Sequence, residues 1–421
     1  MPQPAANASY ATRTDHPTRA GHVARTDYVK RAASFQSASS AAAAALARAS
    51  PARDDDNTYR PRSVLLTGGA GFIGSYVAEA LAEMFPDMER LVVYDIFDYC
   101  GNEWYLDEVK RTLGGGDGDG DGRLKVVRGD VRSADLLRHV FETERIDTVL
   151  HLAAQSHVDN SFGSPLMFNN VNSVGTHTML VVAKEFHERG QLRRFVHMST
   201  DEVMGESPQT GDQGEDVSFD ETALLNPTNP YAASKAAAEM FCFSYHKSYG
   251  LPIIIVRSNN VYGGRQYPEK LIPKMICMLR AGAKKLPVHG DGQQCRSFMC
   301  VTDTASALMQ ILMHGHTGHV YNVATEFEVS NLEVVHKILA LFGIPETERD
   351  DYIEHVRDRH FNDRRYNADC RKLRELTGWH PTVDFDEGLA RTVEWYKQHA
   401  HRYGDLSRTL VAHPTYQGKQ A

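Results

Sequence analysis

The 421-residue chain is 42% hydrophobic and 24% charged, the balance of an ordinary globular protein. Its net charge of -8 gives no electrostatic reason to expect nucleic acid or an anionic membrane as partner, and no apolar run approaches the roughly 18 residues of a membrane span. Its six cysteines are scattered without a CxxC pair, which in so long a chain points to free thiols in a reducing compartment, hence the cytoplasm.

Residues 1–60 stand apart in composition. They are rich in Ala, Ser, Thr and Arg, include "SASSAAAAALARAS" and end in "RDDDNTYRPR". An organellar transit peptide is one reading, since acids are few before Asp54. Asp15 and Asp27 interrupt the basic character and no amphipathic pattern stands out, so a disordered, low-complexity extension is the preferred reading.

From Arg62 the pattern becomes strand, Gly-rich turn, helix, strand. "SVLLTG", "RLVVYD", "LKVVRGD", "DTVLHLAA", "RRFVHMS" and "PIIIVRS" read as buried strands, with helices such as "SYVAEALAEMF", "SADLLRHVFETE" and "VGTHTMLVVAKEF" between them. Near-continuous apolar strands alternating with helices predict an α/β fold, a doubly wound parallel sheet covered on both faces. The sheet domain is expected over 61–256. After about residue 260 the regularity loosens, so 257–421 is expected to form mainly a smaller lobe at the carboxyl edge of the sheet, with some segments returning to it.

Two clusters look like metal sites and are read otherwise. "GGGDGDGDG" puts Asp117, Asp119, Asp121 and Gly122 at calcium-loop positions 1, 3, 5 and 6, but the twelfth residue is Arg128 rather than Glu. A flexible insertion is expected there. His314, His316 and His319 bridge a helix end and a strand with no nearby Cys or acid to complete a ligand set, so a solvated loop is expected and no metal.

"TGGAGFIG" lies between the first strand and the first helix, with Gly68, Gly71 and Gly74 spaced at three. Glycines there permit a tight turn and let a pyrophosphate approach the backbone at a helix N-terminus, the pattern of a Rossmann-type dinucleotide site. Asp95, ending the second strand, supplies a carboxylate for an adenosine ribose and would repel a 2′-phosphate, which favours NAD over NADP. In "PYAASKAAAE", Tyr231 and Lys235 are four apart and share a helix face, Pro230 suits the helix start and Gly250 its end. A lysine cation beside the phenol, with the positive nicotinamide ring, would favour the phenolate as a base. "STDEVMG" places Asp201 and Glu202 behind Thr200 at a strand end, where acids are often only a turn or a cap.

GxxGxxG followed by YxxxK resembles the extended short-chain dehydrogenase/reductase superfamily. "HLAAQSHVDNSF", "STDEVMG", "NPYAASKAAAE", "RSNNVYGGRQYPEKLIPK", "VHGDGQQCRSF" and "DRHFNDRRY" together resemble nucleotide-sugar 4,6-dehydratases, both dTDP-glucose 4,6-dehydratase and the dehydratase part of plant UDP-rhamnose synthase. The resemblance runs from about Arg62 to His413. It implies an NAD-dependent conversion of dTDP-glucose or UDP-glucose to the 4-keto-6-deoxy sugar nucleotide, with thymine and uracil undistinguished, and a homodimer. Asp201 is implied as acid, Glu202 as base and Thr200 as partner of the C4 oxygen. Gly68, Gly71, Phe72, Ile73, Gly74, Asp95, Asp130, Val131, Leu152, Ala153, Ala154, Tyr231 and Lys235 are implied around NAD. Ser156 is implied near the hexose, and Asn260, Lys270, Arg296, Asn322, Arg359 and Asn362 near the diphosphate and nucleoside. Met204, Gly264 and Cys300 depart from the family's usual Tyr, Pro and aromatic residue, all outside the acid-base set. A nucleotide-sugar 4-epimerase would need Tyr231 but not Asp201 or Glu202, and a silent NAD-binding protein would need neither Tyr231 nor Lys235.

Overall fold

Runs of Val, Ile and Leu become buried strands where helices cover both faces, and this arrangement dominates the computed structural model. It describes residues 58–114, 122–208, 217–359 and 361–413; the expectations for the first 57 residues and for Asp117, Asp119 and Asp121 lie outside them. Strands β1 (Ser63–Thr67), β2 (Arg90–Asp95), β3 (Leu124–Arg128), β4 (Thr148–His151), β5 (Arg194–Thr200) and β6 (Ile253–Ser258) lie where foreseen, although β3, expected to be buried, is a half-exposed edge strand. Strands β7 (Asn260–Tyr262), β8 (Leu286–His289), β9 (Cys295–Cys300), β10 (Val320–Val323), β11 (Glu328–Ser330) and β12 (Ile353–Val356) follow. Seven of them form one sheet in the order β10-β6-β5-β4-β1-β2-β3, parallel throughout. The order reverses beside β1, where a doubly wound sheet opens its ligand crevice.

Alternate residues of each strand enter different cores. Val64 and Leu66 pack with the Phe72–Met84 and Val301–His314 helices, while Leu65 packs with Phe141, Leu180 and Cys242 on the other face. Strand β10 lies in the same sheet, its Val320 pairing with Ile255, and the Val301–His314 helix packs on the Phe72–Met84 helix. A third core joins the Leu271–Arg280, Asn331–Leu341 and Phe385–His399 helices with two small sheets, β11-β9-β7 and β12-β8. Among the described residues no helix is long and apolar enough to cross a membrane, and no group of His, Cys, Asp or Glu could hold a metal ion. All six cysteines are free.

Candidate active site

Strand β1 must turn at once into the Phe72–Met84 helix, and two glycines make this possible. Gly68 has φ +69°, and a Cβ there would lie 2.8 Å from the Ala153 backbone; at Gly74 a Cβ would collide with the Gly68 carbonyl. Gly71 precedes the helix and no side chain caps it, so the first N–H groups are left for a ligand. Asp95 accepts from the Ala70 amide at 3.0 Å and the Phe97 amide at 2.9 Å. Burial raises its pKa, and those two N–H groups oppose the rise. The cradle fits a dinucleotide: glycine wherever a Cβ would fill the space, uncapped N–H groups and a buried carboxylate one strand over.

These features open into a cleft of about 1300 Å³, more than the 300–1,000 Å³ of an ordinary small-molecule pocket. It has room for a dinucleotide and a second large ligand. All the residues expected around the cofactor line it, as do Thr200, Glu202, Ser156, Asn260, Lys270, Arg296, Arg359 and Asn362.

Strand β5 delivers Thr200 to the cleft and ends in one 3-10 turn, Asp201–Met204. The Thr200 hydroxyl accepts from the Glu202 amide at 3.3 Å and donates to Asp201 Oδ1 at 3.2 Å. The two carboxylates then meet different partners. Asn259 Nδ2 donates to Asp201 Oδ2 at 2.8 Å, and Asn229 Nδ2 donates to Glu202 Oε2 at 3.0 Å. Burial, then the Glu202 charge, pushes Asp201 up to about 7. Burial also raises Glu202, but the Asn229 amide and the cations Arg296, Lys270 and Arg359 oppose the shift. Asn259, Thr200 and Arg296 oppose the rise at Asp201 in the same way, so both acids are drawn toward the protonated form and are placed to exchange a proton.

Tyr231 and Lys235 sit on the Pro230–Tyr249 helix, begun by Asn229 as N-cap and ended by Gly250 in the left-handed region. Lys235 Nζ donates to the Met198 carbonyl at 2.5 Å, and burial brings its pKa down to about 8, so it is a cation at neutral pH. The expectation of a phenolate favoured by Lys235 is not met by the chain alone. Burial and the Glu202 charge raise the Tyr231 pKa, and only the Thr200 hydroxyl opposes them. Ahead of the Gly175–Glu188 helix, the chain makes a π-turn at Asn169–Val174 that brings Asn172 against Gln155 and Ser234.

The cationic part of the cleft is braced by one acid and by backbone carbonyls. Arg359 Nε meets Asp159 Oδ1 at 2.5 Å, and Lys270 Nζ donates to the Ser156 carbonyl at 2.6 Å. Arg296 donates to the Asp363 and Cys295 carbonyls at 2.8 and 2.7 Å and lies over the Tyr366 ring.

One expectation needs correction. Asn322 lies inside β10, fully buried in the sheet, and its amide donates to the Phe219 and Asp369 carbonyls; it does not line the cleft. Asp201 is also absent from the lining, although its neighbours Thr200 and Glu202 are on it. Asn229, Asn259, Asp159 and Glu269 were missed. Asn229 was findable as the cap before Pro230. Glu269 precedes Lys270, accepts from Tyr99 at 2.9 Å, and is pushed by burial up to about 7. The departure at Gly264 has a partner: a Cβ there would lie 2.8 Å from the Trp395 ring. Met204 is buried with Val203, Ala236 and Ala324, and Cys300 packs on the lobe core.

The family model described as GDP-mannose 4,6 dehydratase matches residues 65–392. A trifunctional UDP-glucose 4,6-dehydratase/UDP-4-keto-6-deoxy-D-glucose 3,5-epimerase/UDP-4-keto-L-rhamnose-reductase of Arabidopsis thaliana is 45% identical over 85% of the chain and 50% of its own length. The chain thus spans about half the length of the Arabidopsis relatives it matches. The dTDP-D-glucose 4,6-dehydratase of Homo sapiens is 38% identical over 84% of the chain and 95% of its own. Among solved structures, the dTDP-glucose 4,6-dehydratase DesIV from Streptomyces venezuelae, with NAD bound, matches with a TM-score of 0.72 and 36% identity, over 81% of the chain and 99% of that structure.

Proposed function

The chain belongs to the GDP-mannose 4,6-dehydratase family, nucleotide-sugar enzymes of the extended short-chain dehydrogenase/reductase superfamily, and we propose that it is an NAD-dependent 4,6-dehydratase converting a nucleoside-diphosphate glucose to the 4-keto-6-deoxy sugar and water. The observation that carries this reading is the buried Asp201–Glu202 pair, each acid held by a different asparagine and both drawn by burial toward the protonated form.

NAD, when bound, supplies the two-electron acceptor that takes hydrogen from C4 of the sugar and returns it at C6. The glycine cradle and Asp95 are the residues that would hold it. Tyr231 would accept the C4 hydroxyl proton as the phenolate, which the positive nicotinamide ring of bound NAD would favour beside the Lys235 cation, while Thr200 hydrogen-bonds the C4 oxygen. Once C4 is a ketone the C5 proton is acidic, and Glu202, whose upward shift Asn229 and the nearby cations oppose, removes it. Asp201, its pKa raised to about 7, protonates the C6 hydroxyl so that it leaves as water. Arg296, Arg359 and Lys270 bind the diphosphate. An epimerase has no work for this pair of acids, which favours the dehydratase.

Higher identity to the Arabidopsis relative than to the human one, 45% against 38%, favours UDP-glucose over dTDP-glucose. We also propose a homodimer. Val174, Met240 and Tyr249, on or next to the Gly175–Glu188 and Pro230–Tyr249 helices, expose apolar surface that a second copy would cover. The test is direct: incubate the protein separately with UDP-glucose and dTDP-glucose and follow the alkaline absorbance of the 4-keto product. No product from either sinks the proposal.

A further inference from the structure

Beyond the Phe385–His399 helix the chain stays on the lobe as far as His413, the last described residue. Leu406 and Leu410 pack on the lobe core, and the Thr409 and Leu410 amides both donate back to the Leu406 carbonyl, at 2.9 and 3.0 Å. The chain then runs along the cleft. Lys274 Nζ donates to the Val411 carbonyl at 2.9 Å, His289 Nε2 donates to the Ala412 carbonyl at 3.1 Å, and the His413 ring lies 4.7 Å from that of His289. Lys274, His289 and Ala412 all line the cleft, at the part that also holds Arg359 and Lys270.

Neither contact is a loose surface interaction. Lys274 is 6% exposed, and a buried ammonium needs acceptors for its three protons. Burial brings its pKa down to about 8, Asp159 and Glu269 oppose that fall while Arg359 adds to it, and the Val411 carbonyl is its hydrogen-bond acceptor from the tail. His289 meets a carbonyl, which can only accept, so its Nε2 must carry a hydrogen and the ring is fixed in one orientation.

We propose that Leu406–His413 is a working part of the nucleotide site: the Val411 and Ala412 carbonyls position Lys274 and His289, so the tail sets affinity for the nucleoside diphosphate portion of the substrate. This rests on the reading that the cationic part of the cleft receives a nucleoside diphosphate. The tail makes no contact with Thr200, Asp201, Glu202 or Tyr231 among the described hydrogen bonds, so it acts on binding and not on the chemistry. Val411 and Ala412 are positioning residues that act through Lys274 and His289.

The test is a chain ending at Leu410, which keeps both apolar anchors and removes both carbonyls. UDP affinity by calorimetry should fall about tenfold, as expected when a buried donor loses its acceptor. KM for the nucleotide sugar should rise alongside, with kcat within about threefold and bound NAD unchanged. Unaltered UDP affinity and KM overturn the proposal. A second measurement uses the unmodified full chain: tryptic cleavage after Arg408, which is exposed, should slow when UDP saturates the site. Cleavage at the same rate with and without UDP overturns it as well. If the full chain binds UDP and shortening weakens that binding, but neither UDP-glucose nor dTDP-glucose is dehydrated, the dehydratase reading fails and the tail's role stands. If the full chain does not bind UDP, both fall.

Discussion

Asn229 joins the two halves of the site: its amide nitrogen donates to Glu202 at 3.0 Å while its amide oxygen accepts from Ala232 at 2.8 Å and caps the helix that carries Tyr231. One side chain thus fixes the base against the helix of the phenol. Asn229→Ala should cost about 1 kcal/mol of stability for the lost cap and lower turnover roughly ten- to a hundredfold as Glu202 loses its donor. Asn229→Ser restores a capping oxygen but is too short to donate to Glu202. It should recover the melting temperature without recovering the rate, which thermal unfolding beside a turnover assay reads separately.

The acid pair and the Tyr-Lys pair should be separable by mutation. Tyr231→Phe abolishes oxidation and therefore everything after it. Glu202→Gln keeps size and hydrogen bonding but removes the base, so exchange of the C5 hydrogen with deuterated water should collapse. Asp201→Asn should leave C5 exchange in place and slow loss of the C6 hydroxyl. Each loss should be on the order of a hundred- to ten-thousandfold. Equal damage to both steps from either substitution contradicts the division of roles.

Asp201 also sets a pH dependence. As an acid it must carry its proton, and with a pKa near 7 the elimination step should weaken as pH rises through 7. Its pKa is raised by folding, so its contribution to stability is whole below the ordinary carboxylate range and is lost as pH rises toward 7. Asp201→Asn removes that loss. Relative to the parent, the variant should gain melting temperature between pH 4 and pH 8; a constant difference would mean Asp201 is ionised in the fold throughout.

Cofactor retention should depend on the glycine cradle. Gly68→Ala and Gly74→Ala place a Cβ against backbone atoms and should yield folded protein with little bound NAD. Asp95→Ala should weaken retention too. Mainly NADP released from the purified parent by denaturation would overturn the reading of Asp95.

What the chain disclosed in advance was local. Gly68, Gly71 and Gly74 sit on one turn and Tyr231 and Lys235 on one helix face, so short spacing marked them, whereas Thr200, Asp201 and Glu202 on one strand end stood out only through the family resemblance. What escaped was set by contacts far apart in sequence. Asn259 reaches Asp201 across 58 residues, and Arg359 reaches Asp159 across 200. Asn322 went astray for the same reason: its strand returns to the main sheet beside β6, and its amide serves the Phe219 and Asp369 carbonyls instead of a ligand. The tail's hold on Lys274 and His289 runs through backbone carbonyls, which no side-chain motif records.

The central claim is that one site oxidises C4, eliminates water across C5 and C6, and returns the same hydrogen to C6. Nucleotide glucose carrying deuterium at C4 tests it in a single turnover in ordinary water. The account predicts that the label reappears at C6 of the product, with solvent hydrogen at C5. Label retained at C4 with no dehydrated product would contradict it, and would make Asp201 and Glu202 bystanders in an epimerase.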